Sequence, residues 1–284
     1  MRALIVTADD VGLHSGMTLG AVKAHDEGIV TACSVVANGR AFESAVAMLR
    51  ERPRLDVGVH LTLVGERPLS PPERVRSLTG RSGAFLGDFR AFTRRYLLGG
   101  IAAAEVEEEL RQQIEKLLSS RLQIVHANSH QHLHVLPRIF EIVLRLAAEY
   151  RIPFVRIPNE PSARRLSPRA LQIGILNRIG RRARRRMEKT GSVHSTDRTV
   201  GILDAGRLTV DGLSRTFEDV EGLNELVCHP GIGDETMAAK YDWGYRWDAE
   251  TKALCDQRVR EVLQSRGIEL RSFSGAGSPY PSGG

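Results

Sequence analysis

Short apolar runs alternate with amphipathic stretches along the whole chain, and this rhythm limits the fold more than any other feature. Apolar or β-branched runs stand at residues 3–8, 29–36, 56–63, 122–125, 154–157, 199–203, 225–229 and 268–273. Between them lie helical patterns at 15–27, 41–50, 105–118, from Pro137 onward, and at 249–264. Strands separated by helices must cross over and pair in parallel. About eight such strands predict an irregular α/β fold, a (β/α) barrel, with a doubly wound sheet as the alternative. A chain of 284 residues, 42% of them hydrophobic, suits one barrel domain over 1–274. Residues 160–200 read as a basic, partly helical insertion, 64–100 as a long loop, and 275–284 as a flexible tail.

The strand over 56–63 alternates strictly. Val57, Val59, Leu61 and Leu63 share one face, while Gly58, His60 and Thr62 share the other. His60 therefore falls on the side expected of a barrel lumen. The fourth strand runs into His126-Ala127-Asn128-Ser129-His130-Gln131-His132-Leu133-His134, which holds four of the nine histidines. Asp9-Asp10 end the first strand and His229 ends a late one. In parallel α/β folds, sites gather at the carboxyl ends of strands, so these residues are predicted to meet.

One Asp and two His make a divalent-metal set with positions left for water and substrate. The second Asp suits a general base, and a further His suits a proton donor to a leaving group. Taken singly, each residue also has a structural reading. Asp9-Asp10 can start a loop, His60 can be a hydrogen-bonded interior histidine, and His229 can cap a strand. His126 points to the same side as Asn128 and supports the ligands from behind. Arg156, on a strand near the site, is a clamp for a carboxylate or sugar hydroxyl, or a surface ion-pair former. His14, His25 and His194 read as surface or local structure.

These segments resemble the YdjC-like (ChbG-like) carbohydrate deacetylases. The residues that carry the resemblance are Thr7-Ala8-Asp9-Asp10-Val11-Gly12, Val57 to Leu63, His126 to His134, and Glu225 to Gly231. The resemblance implies an irregular β/α barrel that hydrolyses the N-acetyl group of an N-acetylglucosamine-type sugar. It implies Asp10, His60 and His130 as metal ligands, Asp9 as the base that activates the attacking water, and His229 as the acid for the leaving amine. Arg156 and His132 become substrate-binding residues, with His132 also a rival to His130 as third ligand. The family's usual Asp is Asn128 here and its Phe is Val11, so one charge near the metal is missing. Residues 197–203 and 206–209 resemble the branch associated with hopanoid biosynthesis, which implies a lipid-linked acetylglucosaminyl substrate. The cofactor implied is one divalent ion, zinc or magnesium, with manganese, cobalt or nickel able to replace it. The alternatives kept open are a soluble chito-oligosaccharide deacetylase, a metal-dependent phosphoesterase, and a non-catalytic protein that binds sugar or an anionic surface.

The net charge of +6 points to an anionic partner or surface. Much of it falls in 169–187, where Leu171, Ile175, Ile179, Ala183 and Met187 recur every four residues among Arg178, Arg181, Arg182, Arg184, Arg185 and Arg186. This stripe either contacts an anionic membrane peripherally or packs on the barrel. No stacking aromatics accompany the arginines, which argues against nucleic acid. Cys33, Cys228 and Cys255 are too scattered for a disulfide framework, and no run is long enough for a signal peptide or membrane span. A cytoplasmic protein is expected, with contact to the inner membrane if the arginine helix lies on lipid.

Overall fold

A computed structural model describes residues 2–161 and 168–276. The strands are β1 (Arg2–Val11), β2 (Ala32–Val35), β3 (Asp56–Leu61), β4 (Ile124–Ser129), β5 (Phe154–Val155), β6 (Arg198–Val200), β7 (Gly222–Cys228) and β8 (Glu269–Leu270). The helices are α1 (Ser15–Asp26), α2 (Phe42–Arg50), α3 (Phe89–Leu97), α4 (Ala103–Ser119), α5 (Pro137–Glu149), α6 (Pro168–Glu188), α7 (Val210–Thr216), α8 (Glu235–Lys240), α9 (Trp247–Cys255) and α10 (Gln257–Ser265). All strand pairs are parallel, in the order β5-β4-β3-β2-β1-β7-β6. β8 pairs with Ala3 and Leu4 at the base of β1, below the point where β2 joins it at Thr7. Past β5 the chain turns toward β6: Asn159 bridges Thr199, whose hydroxyl donates to the Ile157 carbonyl at 3.0 Å. The sheet thus curls into an irregular half-barrel with helices outside, as the alternation predicts.

The strand faces separate two kinds of interior. Leu4, Val6, Val59 and Leu61 share one hydrophobic core with Leu110, Ile114, Phe140 and Val143 of the helices. Each fully buried aliphatic side chain of this size contributes about 1.5–3 kcal/mol relative to exposure. Ile5, Ala32, Val125, Phe154 and Phe273 form a small apolar plug inside the curl. Above it the lining turns polar. His126 lies flat on Phe273, with ring centroids 4.3 Å apart, and its Nε2 sits 3.1 Å from Ser34 Oγ. A side chain at position 58 would meet that imidazole at 2.3 Å, so Gly58 is required by the close approach of His126.

Several boundaries differ from expectation. The pattern over 249–264 is two helices, because Asp256 leaves the helical conformation and its carboxylate caps α10 at Arg258 N. His14, not Ser15, caps α1. The loop 64–100 contains α3, capped by Asp88. Of the tail, only 275 and 276 are described.

The arginine helix is half core and half surface. Ala183 and Met187 are buried in the main core, whereas Leu171 and Ile175 are 69% and 57% exposed. A four-residue spacing gains about 40° of rotation per step on a helix of 3.6 residues per turn. Over four steps the stripe turns about 160°, so its two ends face opposite ways. Ile173 instead packs on Ile202 and Val227.

Candidate functional site

Asp9 and Asp10 are adjacent in a strand, so their side chains should point to opposite faces. Two local features overcome this. The β1–β2 register slips between Ala8 and Val11, and Asp10 takes a left-handed φ of 65°. Such strain persists where surrounding structure fixes it. Both carboxylates therefore turn to the open end of the curl.

His60 rises from β3 and meets Asp10, with Nε2 3.3 Å from Oδ1. His130 follows β4 directly, before a left-handed pair at Gln131 and His132 with φ of 56° and 54°. That turn brings His130 Nδ1 to 2.8 Å from Asp10 Oδ1. The ligating atoms of Asp10, His60 and His130 all lie within 4.8 Å of one another, and among the described residues they form the group able to hold a metal ion. Ligands at about 2.1 Å from one tetrahedral ion stand about 3.4 Å apart, close to the spacing seen. His132 is outside the group. Its Nδ1 is buried without a hydrogen-bond partner among the described residues.

Asp9 is held differently. Arg156 Nη1 donates to Asp9 Oδ2 at 2.5 Å and Nη2 to Oδ1 at 2.9 Å. The same guanidinium donates to Glu225 Oε1 from Nε at 3.0 Å and from Nη2 at 2.7 Å. Its side chain is wholly buried, so the carboxylates that Arg156 clamps are the chain's own. Burial alone would raise the Asp9 carboxyl, but Arg156, with His60 and His229, outweighs it and keeps Asp9 well below the usual carboxylate range. Burial also opposes ionisation of Asp10, and His130 and His60 overcome it. For His60, burial favours the neutral ring, yet Asp9 and Asp10 raise its pKa.

His229 stands just beyond β7, with Nε2 4.0 Å from Asp10 Oδ2. Burial lowers its pKa against the pull of Asp10 and Asp9. Its backbone N–H donates to Glu250 Oε1 at 2.6 Å, which fixes the β7 end. His134 is structural: it bonds Ser129 Oγ at 2.7 Å and the Arg156 carbonyl at 2.8 Å. The structure thus brings Asp9, Asp10, His60, His130 and His229 to one end of the sheet, with Arg156 beneath them.

Sequence reasoning missed Glu225, Glu250 and an aromatic wall. Glu225 was visible as a lone acid inside an apolar strand. The wall is Tyr241, Trp243, Tyr245 and Trp247, which holds both tryptophans and two of the five tyrosines in one short segment. Trp243 lies 5.1 Å from the His130 ring and Tyr245 lies 5.0 Å from the His229 ring.

Known proteins resemble this chain over nearly its whole length. A carbohydrate deacetylase of Brevibacillus brevis is 32% identical over 276 residues, covering 96% of this chain and 99% of that protein. One from Clostridium beijerinckii is 27% identical, covering 95% and 98%. The crystal structure of a protein from Enterococcus faecalis described as a cellobiose-phosphate cleavage protein superposes with a TM-score of 0.77 at 26% identity, covering 97% and 98%. Residues 3–265 match the YdjC-like protein family, and with the full-length likeness to the Brevibacillus enzyme this makes the chain a member of that family.

Proposed function

We propose that this protein is a divalent-metal N-deacetylase acting on an N-acetylglucosamine-type sugar and releasing acetate. The observation that carries the reading is the convergence of Asp10, His60 and His130 beside two further proton-handling groups, Asp9 and His229. The names of full-length relatives support the carbohydrate-deacetylase class.

Asp10, His60 and His130 would hold a divalent ion, which would supply Lewis acidity toward the acetamido carbonyl and lower the pKa of a water. Two His with one Asp suits zinc, while magnesium, manganese, cobalt and nickel are the alternatives to test. Asp9 takes a proton from the attacking water. Arg156 keeps that carboxylate ionised and aimed, at the cost of some basicity. Water oxygen bonds to the acetyl carbon, the carbon–nitrogen bond breaks, and His229 delivers a proton to the departing amine. Burial lowers the His229 pKa, which makes its protonated form a stronger acid, while Asp10 and Asp9 partly restore the charge. His132, half-buried beside the site, contacts the substrate.

Release of acetate from a panel of N-acetylated sugars and glycolipids, with and without chelator, tests the reading. Phosphate release from phosphoesters with no acetate from any sugar would replace it with a phosphoesterase. A single three-ligand group is less than two-metal phosphoester chemistry ordinarily uses.

A lipid-linked substrate is a second reading, favoured by α6. Leu171 and Ile175 are exposed, and Arg178, Arg181, Arg182 and Arg185 share that outer surface. Apolar side chains flanked by arginines suit an anionic leaflet. No helix among the described residues is long and apolar enough to cross a membrane. On this reading the protein works in the cytoplasm against the inner membrane, on an acetamido sugar such as an N-acetylglucosaminyl hopanoid.

A further inference from the structure

Beside the metal-ligand group lies a cavity of about 140 Å³, and the acetyl chemistry above makes no use of it. Its lining includes Glu66, His130, Gln131, Lys240, Tyr241 and Trp243. His130 belongs to both, so a molecule in the cavity lies against a residue of the reacting centre. The cavity has the room of about five waters, enough for much of one small ring and too little for a chain.

The lining is chemically specific. Trp243 is half-buried and edge-packed by Tyr241 and Tyr245 at centroid distances of 5.0 and 5.5 Å, which fixes its ring. Lys240 Nζ donates to Glu66 Oε1 at 2.7 Å and to Oε2 at 3.0 Å. The Tyr241 hydroxyl donates to Glu66 Oε1 at 3.0 Å. This cluster offers several donors and acceptors, yet its two full charges cancel. An anionic group would meet the Glu66 carboxylate, whereas hydroxyls can share both partners. A fixed aromatic face beside a few convergent polar groups is how proteins hold small polar rings.

We propose that this cavity is a subsite for a second, uncharged sugar ring, the neighbour of the acetamido unit. That ring stacks on Trp243, and its hydroxyls bond to Lys240 and Glu66. The assignment of which ring it holds rests on the deacetylase reading; the presence of a neutral-sugar site does not.

Calorimetric titration with cellobiose, a neutral disaccharide without an acetyl group, tests the site apart from catalysis. Wild type should bind cellobiose and bind a phosphorylated cellobiose at least tenfold more weakly. Trp243→Ala should lose cellobiose binding by tenfold or more, with circular dichroism unchanged, and Trp243→Phe should recover part of it. In parallel, the ratio of kcat/KM for diacetylchitobiose over N-acetylglucosamine should fall in Trp243→Ala. Cellobiose binding without hydrolysis of any acetamido sugar would remove the deacetylase reading and support the subsite. Acetate release by a wild type that does not bind cellobiose would overturn the subsite and keep the deacetylase. Binding unchanged in Trp243→Ala, or stronger for the phosphorylated sugar, would overturn it as well.

Discussion

The side-chain amide of Asn128 lies 2.6 Å from His60 Nδ1 and also faces Arg156, and it cannot satisfy both at once. With its oxygen toward His60, it accepts a hydrogen bond from Nδ1–H and leaves Nε2 free to bind a metal. Its NH₂ then faces the Arg156 guanidinium, donor against donor. Turned over, the oxygen accepts from Arg156 Nη2 at 2.8 Å and Nη1 at 3.1 Å, but the NH₂ now donates to His60 Nδ1. That orientation places the ring proton on Nε2, where a metal would sit.

A carboxylate would accept from both neighbours. Asn128→Asp should therefore tighten metal binding, by roughly the tenfold or more that groups orienting a ligand commonly contribute. Asn128→Ala should weaken it by a similar factor. Competition with a chromophoric chelator measures both, without reference to turnover. Equal affinities in all three proteins would show that Asn128 does not set the His60 tautomer.

Metal content should separate ligands from proton carriers. His60→Ala and His130→Ala are expected to lose the ion, and His132→Ala to keep it. Asp9→Asn and His229→Ala should retain metal and fold while kcat falls by about 10² to 10⁴. Full occupancy in His60→Ala would refute the ligand set, and near-normal kcat in both proton-carrier variants would refute their roles.

Much of this was legible in the chain because it depends on periodicity. The alternation over 56–63 placed His60 inside and Val59 and Leu61 outside, where the structure has them. Strand ends collected the five site residues by topology alone. What could not be read depends on local backbone departures or on distant pairing. Nothing in Asp9-Asp10 announces the left-handed Asp10 that lets both carboxylates face the site. Arg156 looked available to substrate until Glu225, far along the chain, proved to share it with Asp9. The arginine helix does not present one continuous stripe, because a spacing of four resembles one face over two turns but drifts around the helix over five.

Arg156 is expected to matter for folding as well as catalysis. Removing it leaves Asp9 and Glu225 buried without their cation, a change that commonly costs about 3–5 kcal/mol. Arg156→Met should lower the denaturation midpoint strongly. Arg156→Lys should recover little, since one ammonium cannot replace three guanidinium nitrogens bonding two carboxylates. Chemical denaturation of the metal-free protein measures both, and a loss under 1 kcal/mol in Arg156→Met would contradict the assigned burial energetics (about 3–5 kcal/mol expected).

Ionisation of two buried carboxyls should cost stability as pH rises toward neutrality. Burial raises the Glu250 carboxyl from 4.5 to about 7, although His229 and Leu208 backbone N–H groups oppose this. Glu160 is raised likewise to about 7 by burial. A carboxyl whose folded pKa lies above its unfolded value binds more protons in the folded state between the two values. Its contribution is thus fully present below about 4.5 and is lost as pH rises to about 7. Buried His126 and His134, lowered to about 3, and His132 and His229, lowered by burial too, act oppositely in this same interval, and Asp9 does so in more acid solution. Because Gln cannot ionise, the melting temperature of metal-free Glu250→Gln should rise relative to wild type as pH goes from about 5 to about 7.5. A difference between the two proteins that stays constant over this interval would contradict the raised Glu250 value.

The outer surface of α6 decides between a soluble and a lipid-linked substrate. Leu171 and Ile175 point away from the core, while Ala183 and Met187 are committed to it, so only the first half of the stripe is free for lipid. Arg184 bonds the Thr196 carbonyl at 2.7 Å and Arg186 pairs with Glu141 at 3.0 Å, which ties the second half down. Arg178, Arg181, Arg182 and Arg185 remain on the exposed side. Each arginine near an anionic leaflet contributes about 1 kcal/mol, so their joint replacement by Gln should weaken binding strongly. Co-sedimentation with vesicles should rise with anionic lipid and fall with salt. Leu171→Ser with Ile175→Ser should weaken it without unfolding the protein, because neither side chain is buried. Activity on a soluble short substrate should persist in both variants. If wild type ignores anionic vesicles and prefers a free chito-oligosaccharide, α6 serves only to cover the barrel and the lipid-linked reading is wrong.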